Sequence, residues 1–355
     1  MKSEQVDINL HIQNIRMSKS IQEFIEGLPK AELHLHIEGS FEPELMFEIA
    51  QRNQKKIRFN SVEEVKEAYN FGNLQDFLDI YYEGMNVLTT EQDFYDLTWA
   101  YLRKVYLENV IHVEIMFDPQ GHTDRGIPFD TVINGIDRAL KDAQTKLGMS
   151  TVLIMSFLRH LDEESAFKTL EDGLRHQDKI TAIGLDSSEL GNPPSKFERV
   201  YKKAKEAGFK LVAHAGEEGP AEYVWEALNL LDIDRLDHGN RCLEDEKLVA
   251  ELAKRKMGLT VCPLSNLKLC VVDDLKKHPL RTMLEKGLKP SINSDDPAYF
   301  GGHMNNNYLA TAEALNLTKE ELATIAKISF ETSFLSDSQK EENIKLVEAY
   351  FSKSS

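Results

Sequence analysis

The stretch Glu32-Leu33-His34-Leu35-His36-Ile37-Glu38-Gly39 carries the first residues in the chain whose types and spacing could do chemistry. Polar and apolar residues alternate in it, so an extended strand would project His34 and His36 from one face. Imidazoles two residues apart on a strand lie about 6–7 Å apart along the chain, close enough for both to reach one metal ion. Gly39 ends the strand just after the pair, and strand ends are where barrel enzymes hold their reactive groups. We interpret the pair as half of a metal site, with a pair of structural histidines as the alternative.

Three later apolar runs also end in histidines or carboxylates, in His214-Ala215-Gly216-Glu217, in Asp237-His238-Gly239 and in Ser294-Asp295-Asp296. Three imidazoles, from His34, His36 and His214, together with one carboxylate form a donor set suited to Zn²⁺. We assign the carboxylate to Asp295, because Asp296 would point the other way on a regular strand. Catalytic zinc keeps one position open for water and lowers the pKa of that water toward about 7. The strand ends therefore predict a hydrolytic zinc site.

Two further residues at these strand ends are left for proton transfer. His238 is free to hold or deprotonate the water. Glu217 lies three residues beyond His214, after a tight Ala-Gly turn, so it could face a substrate as the proton donor. A glutamate must be protonated to do this near neutral pH, so we expect burial to raise the pKa of Glu217.

The elements that must position these residues are eight short apolar runs, which we predict to be strands: Ala31–Ile37, Val110–Phe117, Thr151–Leu158, Ala182–Ser187, Lys210–His214, Arg235–His238, Gly258–Cys262 and Pro290–Ser294. Amphipathic helical patterns lie between them: Phe129–Leu147, Glu163–His176, Lys196–Ala207, Ala221–Leu231, Leu243–Lys256 and Pro279–Gly287. Alternating strands and helices with near-continuous apolar strands predict a parallel sheet covered by helices. Eight such units predict an α/β fold of the (β/α)8 TIM-barrel type.

The gap between the first two predicted strands, residues 40–109, is long and contains helical patterns at Glu44–Asn53, Leu74–Leu88 and Glu91–Glu108. An insertion after the carboxyl end of a strand is placed to cover the barrel mouth as a lid, and extra outer packing is the alternative. Residues 1–20 have no firm periodicity and predict a loosely held N-terminal arm. We predict one domain over 1–355, closed by helices at Asn305–Asn316, Lys319–Phe330 and Ser338–Ser352.

The composition argues against several classes of function. The 355 residues carry a formal net charge of −17, which disfavours binding nucleic acid through its phosphates. No run of roughly 18 or more apolar residues occurs, so we expect neither a transmembrane helix nor a secretory signal. Cys242, Cys262 and Cys270 form no Cys-x-x-Cys pair, which favours buried structural thiols in a reduced, cytoplasmic setting. The sequence contains no signal for an oligomeric state.

Five motifs follow one another along roughly Leu28 to Gly302, nearly the whole predicted barrel: His34-Leu35-His36, His214-Ala215-Gly216-Glu217, His238-Gly239, Cys262-Pro263-Leu264-Ser265-Asn266 and Ser294-Asp295-Asp296-Pro297. In this order they resemble the motifs of the adenosine and adenine deaminases of the amidohydrolase superfamily. The resemblance implies a mononuclear zinc barrel that replaces the 6-amino group of a purine with oxygen and releases ammonia.

The resemblance also implies roles for single residues. The implied metal ligands are His34, His36, His214 and Asp295. Glu217 resembles the acid that protonates purine N1, and His238 resembles the group that orients the attacking water. Asp296 resembles the residue that bonds N7, and Gly184 the residue whose backbone N–H meets N3.

Two features favour adenine over adenosine within this family. Glu38 stands where adenosine enzymes typically carry an aspartate that contacts the ribose, and its longer side chain would intrude on the space of a sugar. A capping or supporting acid is the alternative for Glu38. Residues 185–197 and 295–302 also resemble the adenine deaminase branch. We therefore expect deamination of adenine to hypoxanthine in purine salvage. Adenosine deamination is the alternative, and a purine- or metal-binding barrel without turnover is the non-enzymatic one.

Other metal-site patterns are disfavoured. His112-Val113-Glu114 imitates the His-x-Glu of cytidine-deaminase-type enzymes, but the Pro-Cys-x-x-Cys that completes such a site is absent. Binuclear amidohydrolases use a bridging lysine from the fourth strand, and Ala182–Glu189 contains none. A pocket for a phosphorylated substrate would need a basic rim, whereas the rim predicted here is acidic.

Overall fold

Eight parallel strands form the central sheet of the part of the chain that this computed structural model describes, which comprises residues 20–69, 71 and 74–354. Each strand pairs with the next one along the chain. The strands are β1 (Lys30–His36), β2 (Val110–Phe117), β3 (Ser150–Leu158), β4 (Ala182–Asp186), β5 (Lys210–Ala215), β6 (Arg235–His238), β7 (Gly258–Val261) and β8 (Lys289–Ile292).

A short contact between β1 and the residues after β8 closes the sheet on itself. The amide of His36 donates to the carbonyl oxygen of Asp295 at 3.0 Å, and the amide of Asp295 donates to the carbonyl oxygen of His34 at 3.1 Å. Nearer the start of β1, the amide of Leu33 donates to Oδ1 of Asn293 at 2.8 Å. The predicted (β/α)8 barrel is confirmed, with strand boundaries that differ from the predicted ones by at most two residues.

All seven residues of β1 are buried, including its charged ones. Lys30 donates from Nζ to the carbonyl oxygens of Ile25 and Leu28 at 2.6 and 2.8 Å. Glu32 accepts a hydrogen bond from the hydroxyl of Tyr101 at 2.5 Å. Buried charges need such partners, because an unpaired one would lose its hydration without compensation. β1 is therefore a rigid support for the two histidines at its end.

The insertion between β1 and β2 is helical where the structure describes it, with α2 (Pro43–Arg52), α3 (Val62–Ala68), α4 (Leu74–Met85) and α5 (Glu91–Leu107); a helix at residues 20–27, α1, precedes β1. The sequence prediction missed α3, a seven-residue helix that buries only Val65 and so has little apolar periodicity. α5 begins with a capping box in which Thr90 and Asp93 bond each other's backbone amides, a strong start signal.

The remaining helices are α6 (Pro119–Thr123), α7 (Phe129–Lys146), α8 (Glu163–Leu174), α9 (Glu198–Glu206), α10 (Ala221–Glu226), α11 (Glu246–Arg255), α12 (Pro263–Lys268), α13 (Leu280–Glu285), α14 (Pro297–Phe300), α15 (Met304–Leu315), α16 (Lys319–Glu331) and α17 (Asp337–Ser354). Two predicted helices are divided. A 3₁₀ turn at Pro194–Phe197 precedes α9, and a π turn at Ala227–Leu231 follows α10.

Three smaller expectations have different outcomes. The predicted N-terminal arm, residues 1–20, lies outside the described residues except for its last position. Cys242 and Cys262 are buried as expected, but the expectation is wrong for Cys270, which is exposed in the turn after α12. Among the helices that the structure describes, none has the length and apolar character needed to cross a membrane.

Candidate active site

A cavity opens at the carboxyl ends of the strands, where the sequence motifs collect. Its lining divides into the strand-end and loop residues, which we call the floor, and four residues of α4, Phe77, Leu78, Tyr81 and Tyr82, which we call the roof. The floor comprises His36, Asp118, Asp186, Ser187, His214, Glu217, His238, Leu269, Asp295 and Asp296. The space open to the centre of a water molecule is about 40 Å³, room for only a few waters, so the cavity is small.

The four ligands predicted from the sequence converge beside this cavity. One potential ligand atom from each of His34, His36, His214 and Asp295 lies within 4.8 Å of all the others, and all four residues are buried. Nε2 of His36 lies 3.2 Å from Nε2 of His214 and 3.5 Å from Oδ1 of Asp295. Nε2 of His34 lies 3.3 Å from the same Asp295 oxygen.

These separations fit donor atoms that would share one metal ion. Donors about 2.0–2.2 Å from a common ion lie roughly 3–3.5 Å apart when they are neighbours around it. Nε2 of His34 is buried without a hydrogen-bond partner, and burial lowers the pKa of His214 well below its usual range. A neutral ring offers the lone pair that a metal needs. Burial opposes ionisation of Asp295, but the adjacent imidazoles, His34 first, outweigh it and hold the pKa of this carboxyl well below its usual range.

Polar groups behind the cluster orient two of the imidazoles. Nδ1 of His34 lies 2.9 Å from Oγ1 of Thr260, and that hydroxyl donates to Oδ1 of Asp237 at 2.8 Å. Oδ2 of Asp237 lies 3.7 Å from Nδ1 of His214. When Nδ1 of a histidine carries the hydrogen and donates it to an oxygen, Nε2 is left to bind the metal. Thr260 and Asp237 therefore set the tautomer of His34 and face the far nitrogen of His214. Sequence analysis missed both, although Asp237 directly precedes His238.

Three floor residues have a strained backbone. Ser187, His238 and Asp295 adopt the left-handed conformation, with φ of 72°, 62° and 65°. Non-glycine residues seldom adopt it, and each instance costs on the order of 1–2 kcal/mol. The regular strand assumed for Asp295 and Asp296 in the sequence analysis is therefore wrong, because β8 ends at Ile292. The turn brings both carboxylates to the cavity, and only Asp295 joins the four-residue cluster.

Glu217 lies on a loop that a second carboxylate holds in place. Glu189 accepts hydrogen bonds from the amides of Gly216, Glu217, Glu218 and Gly219 at 2.7, 3.1, 2.9 and 2.8 Å. The carboxylate of Glu217 is left with Oε1 buried and unpartnered. Burial, reinforced by Asp295 and Glu189, raises the pKa of Glu217 well above its usual range. The expected upward shift is thus present, and Glu189 is a positioning residue that the sequence analysis quoted without assigning a role.

His238 and Asp296 complete the polar part of the floor. Nε2 of His238 lies 3.5 Å from Oε2 of Glu217, and neither ring nitrogen has a hydrogen-bond partner. Burial, together with the nearby imidazoles, lowers the pKa of His238 to about 3, so its ring is neutral. Burial and the neighbouring Asp295 raise the pKa of Asp296 well above its usual range. Gly39 makes room for Asp296, since a Cβ at Gly39 would overlap that carboxyl group.

Two residues that the sequence analysis placed at the substrate do not line the cavity. Gly184 lies two residues before the end of β4, where a side chain would meet Oγ of Ser156. Asp186 and Ser187, at the strand end, line the cavity instead. Glu38 is also turned away, because β1 ends at His36 and a 3₁₀ turn follows at Glu38–Ser40. Its carboxylate accepts hydrogen bonds from Nε2 of His122 at 2.8 Å and from the amide of Asp118 at 3.2 Å.

Asp118 and Asp186 are the ionisable floor residues for which no role was predicted from the sequence. A signal for both existed, because Asp118 directly follows β2 and Asp186 is the last residue of β4. Both carboxyl groups lie near Nδ1 of His36, with Oδ2 of Asp186 at 3.4 Å and Oδ1 of Asp118 at 3.9 Å.

A barrel with a buried imidazole–carboxylate cluster at its strand ends is the architecture of a metal-dependent hydrolase. The sequence model of the family described as adenosine deaminase matches residues 29–350. The chain therefore belongs to the adenosine deaminase family.

Several individual relatives are described as adenine deaminases, a narrower class than the family. An adenine deaminase of Acinetobacter baylyi is 61% identical over 91% of this chain and 97% of its own length. An adenine deaminase of Marinomonas sp. is 57% identical over 94% of this chain and 99% of its own length. The crystal structure of adenine deaminase from Arthrobacter aurescens superposes with a TM-score of 0.90 at 49% identity, covering 92% of this chain and 99% of that one. An amidohydrolase from Burkholderia ambifaria, solved with bound Zn, has a TM-score of 0.85 at 26% identity, covering 94% and 93%.

Proposed function

We propose that this protein is a zinc-dependent adenine deaminase, which converts adenine and water to hypoxanthine and ammonia. The observation that carries the proposal is the position of Glu217: a buried acid with a raised pKa lines the same small cavity as the metal-binding cluster. The adenine deaminases among the relatives, up to 61% identical over most of the chain, support the choice of substrate.

The metal would be held by His34, His36, His214 and Asp295, all buried and close together. Three imidazoles and one carboxylate favour Zn²⁺ among the common divalent ions. Bound there, the ion supplies a Lewis acid that makes water a nucleophile near neutral pH. The zinc-bound amidohydrolase of Burkholderia ambifaria supports this assignment.

The protein's own groups supply the proton transfers. Attack of water at C6 of adenine disrupts the aromatic ring, and protonation of N1 by Glu217 makes that attack feasible. The raised pKa of Glu217 keeps it in the acid form needed for this step. His238, whose ring is neutral because burial lowers its pKa to about 3, would accept a hydrogen bond from the water and so orient it. The step balances when the proton given up by the attacking water passes to the amino group, the C6–N bond breaks and ammonia leaves. The new C6 hydroxyl then returns its proton to Glu217 as the carbonyl of hypoxanthine forms.

Asp296 would bind the base on its N7 side. Ring nitrogen N7 of adenine is an acceptor, so its partner must donate a hydrogen. The raised pKa of Asp296 keeps its carboxyl group protonated near neutral pH and therefore able to donate. Its Oδ1 is buried without a partner in the protein, as expected for an atom reserved for a ligand.

The test is the change in ultraviolet absorbance as adenine becomes hypoxanthine. Zinc-loaded protein should deaminate adenine, a chelator should abolish the activity, and restored zinc should recover it. Adenosine is the matched competing substrate, and a higher kcat/KM for adenosine would replace the proposal with adenosine deamination. If the zinc-loaded protein leaves both compounds unchanged, it is a binding protein rather than an enzyme.

A further inference from the structure

The carboxyl groups of Asp118 and Asp186 form a pair in the floor that the proposed reaction leaves unused. Both residues are buried and both line the cavity. Among the described residues, no donor other than a carboxyl group bonds Oδ1 of Asp118 or either oxygen of Asp186, and the two carboxyl groups contact each other. Oδ2 of Asp118 accepts from the hydroxyl of Tyr81 at 3.1 Å. A buried carboxylate oxygen without a partner is costly, so three of them in one cavity point to a ligand that donates hydrogens.

One of these oxygens, Oδ2 of Asp186, is the acceptor that faces His36. Nε2 of this ring faces the other metal ligands, so the ring hydrogen belongs on Nδ1, which lies 3.4 Å from Oδ2 of Asp186. The same hydrogen argues against a second cation between His36, Asp118 and Asp186, although their potential ligand atoms lie within 4.8 Å of one another. Oδ1 of Asp118 and Oδ1 of Asp186 then remain for the occupant of the cavity.

We propose that Asp118 and Asp186 accept the ring N–H of the five-membered ring of the purine, at N9, and so select the free base over its nucleoside. This proposal rests on the proposed function. With N1 facing Glu217 and N7 facing Asp296, the N9 hydrogen is the remaining ring N–H of adenine. A nucleoside has a glycosidic carbon at N9 and no hydrogen to donate there. It would leave the carboxylates unsatisfied and would place a sugar against them.

Glu38 acts on this specificity through Asp118. Oε1 of Glu38 accepts from the amide of Asp118 at 3.2 Å and from Nε2 of His122 at 2.8 Å. Arg125 donates to Nδ1 of His122 at 2.7 Å, which leaves the ring hydrogen on Nε2 for Glu38. Glu38 is therefore a positioning residue for the backbone that carries Asp118, rather than a group that fills the space of a sugar.

The experiment compares adenine with 9-methyladenine, in which a methyl group replaces the hydrogen at N9. Wild-type protein should prefer adenine in kcat/KM by about 10⁴-fold, the discrimination typical of a site built around a substrate N–H. Asp118→Asn and Asp118→Ala should reduce that preference about 10- to 100-fold, the worth of one hydrogen bond to a charged group. Asp124→Asn, at an exposed aspartate six residues further on, is the matched control and should leave the preference unchanged.

Each outcome decides between the alternatives. Equal turnover of adenine and 9-methyladenine by wild-type protein would overturn the inference without any variant, so misfolding of the Asp118 variants cannot leave it untested. An unchanged preference in folded, zinc-containing Asp118 variants would also overturn it. Two metal ions per chain by elemental analysis would assign the pair to a second cation instead. A wild-type protein that deaminates no purine would contradict the proposed function, which is a separate result.

Discussion

The floor and the roof of the cavity are built in opposite ways. The floor consists almost entirely of ionisable groups on strand ends, several held in strained backbone conformations and left without partners. The roof is one face of α4. Its aromatic rings pack on the segment just after Asp296: the ring of Phe77 lies 4.7 Å from that of Phe300 and 5.3 Å from that of Tyr299. The difference indicates that the floor performs the chemistry and the roof excludes water. Substitutions in the floor should therefore change kcat or metal binding. Removal of a polar group from the roof should change kcat/KM only slightly.

The largest expected effect is that of Glu217→Gln. The amide keeps the shape of the side chain but cannot protonate N1, so kcat should fall roughly 10²- to 10⁴-fold, the usual worth of general acid catalysis. Zinc content, measured by elemental analysis, should stay at the wild-type level because Glu217 is outside the ligand cluster. A variant with near-wild-type kcat would remove Glu217 from its proposed role.

Thr260→Val tests whether the hydroxyl beside Nδ1 of His34 affects metal binding as strongly as the floor residues do. The substitution keeps the side-chain shape and removes the hydroxyl beside Nδ1 of His34, so zinc should bind about 10- to 100-fold more weakly in competition with a chromophoric chelator. Thr260→Ser should restore the affinity. Thr98→Val is the matched control, because the buried hydroxyl of Thr98 donates at 2.8 Å to the carbonyl oxygen of Phe94 within α5 and is not part of the ligand cluster. Wild-type affinity in Thr260→Val would show that β1 alone orients His34.

Glu189→Gln should have a smaller effect, confined to turnover. The substitution replaces a charged group that accepts hydrogen bonds from four amides with a neutral group that has one acceptor oxygen. The loop that carries Glu217 should therefore become more mobile. We expect kcat to fall about tenfold, the equivalent of one charge-assisted hydrogen bond, with zinc affinity unchanged. Glu222→Gln, at an exposed position of α10, serves as the control. An unchanged kcat would mean that the loop keeps its shape without the carboxylate.

The sequence predicted the floor better than the roof, for a physical reason. Residues such as His36, His214 and Asp295 were found because they follow short apolar runs, and in a parallel barrel all strand ends meet at one rim. The roles of Gly184 and Glu38 came from the family resemblance instead, and the exact ends of the strands keep both residues out of the cavity lining. Gly184 lies two residues too early to line the cavity, and a 3₁₀ turn redirects Glu38 toward His122.

The sequence predicted the helix of the roof but not its contacts. The helical pattern at Leu74–Leu88 predicted α4, and the position of the insertion after the carboxyl end of β1 left two alternatives, a lid over the barrel mouth or extra outer packing. Which of its residues face the cavity depends on aromatic packing against Tyr299 and Phe300, more than 200 positions away in the chain. No local periodicity encodes such a contact, so the lining role of Phe77 and Tyr82 emerged only from the structure.

The smallest expected effect is that of Tyr82→Phe, which tests whether a hydroxyl of the roof takes part in the reaction. The phenol oxygen lies 3.3 Å from Oγ of Ser187, a floor residue. A neutral hydrogen bond contributes about 1 kcal/mol, so kcat/KM for adenine should change by no more than about fivefold while the ring continues to cover the cavity. Tyr106→Phe, at a tyrosine that is 46% exposed, is the matched control. A hundredfold loss in Tyr82→Phe would contradict the division between floor and roof, because a roof hydroxyl would then take part in the reaction.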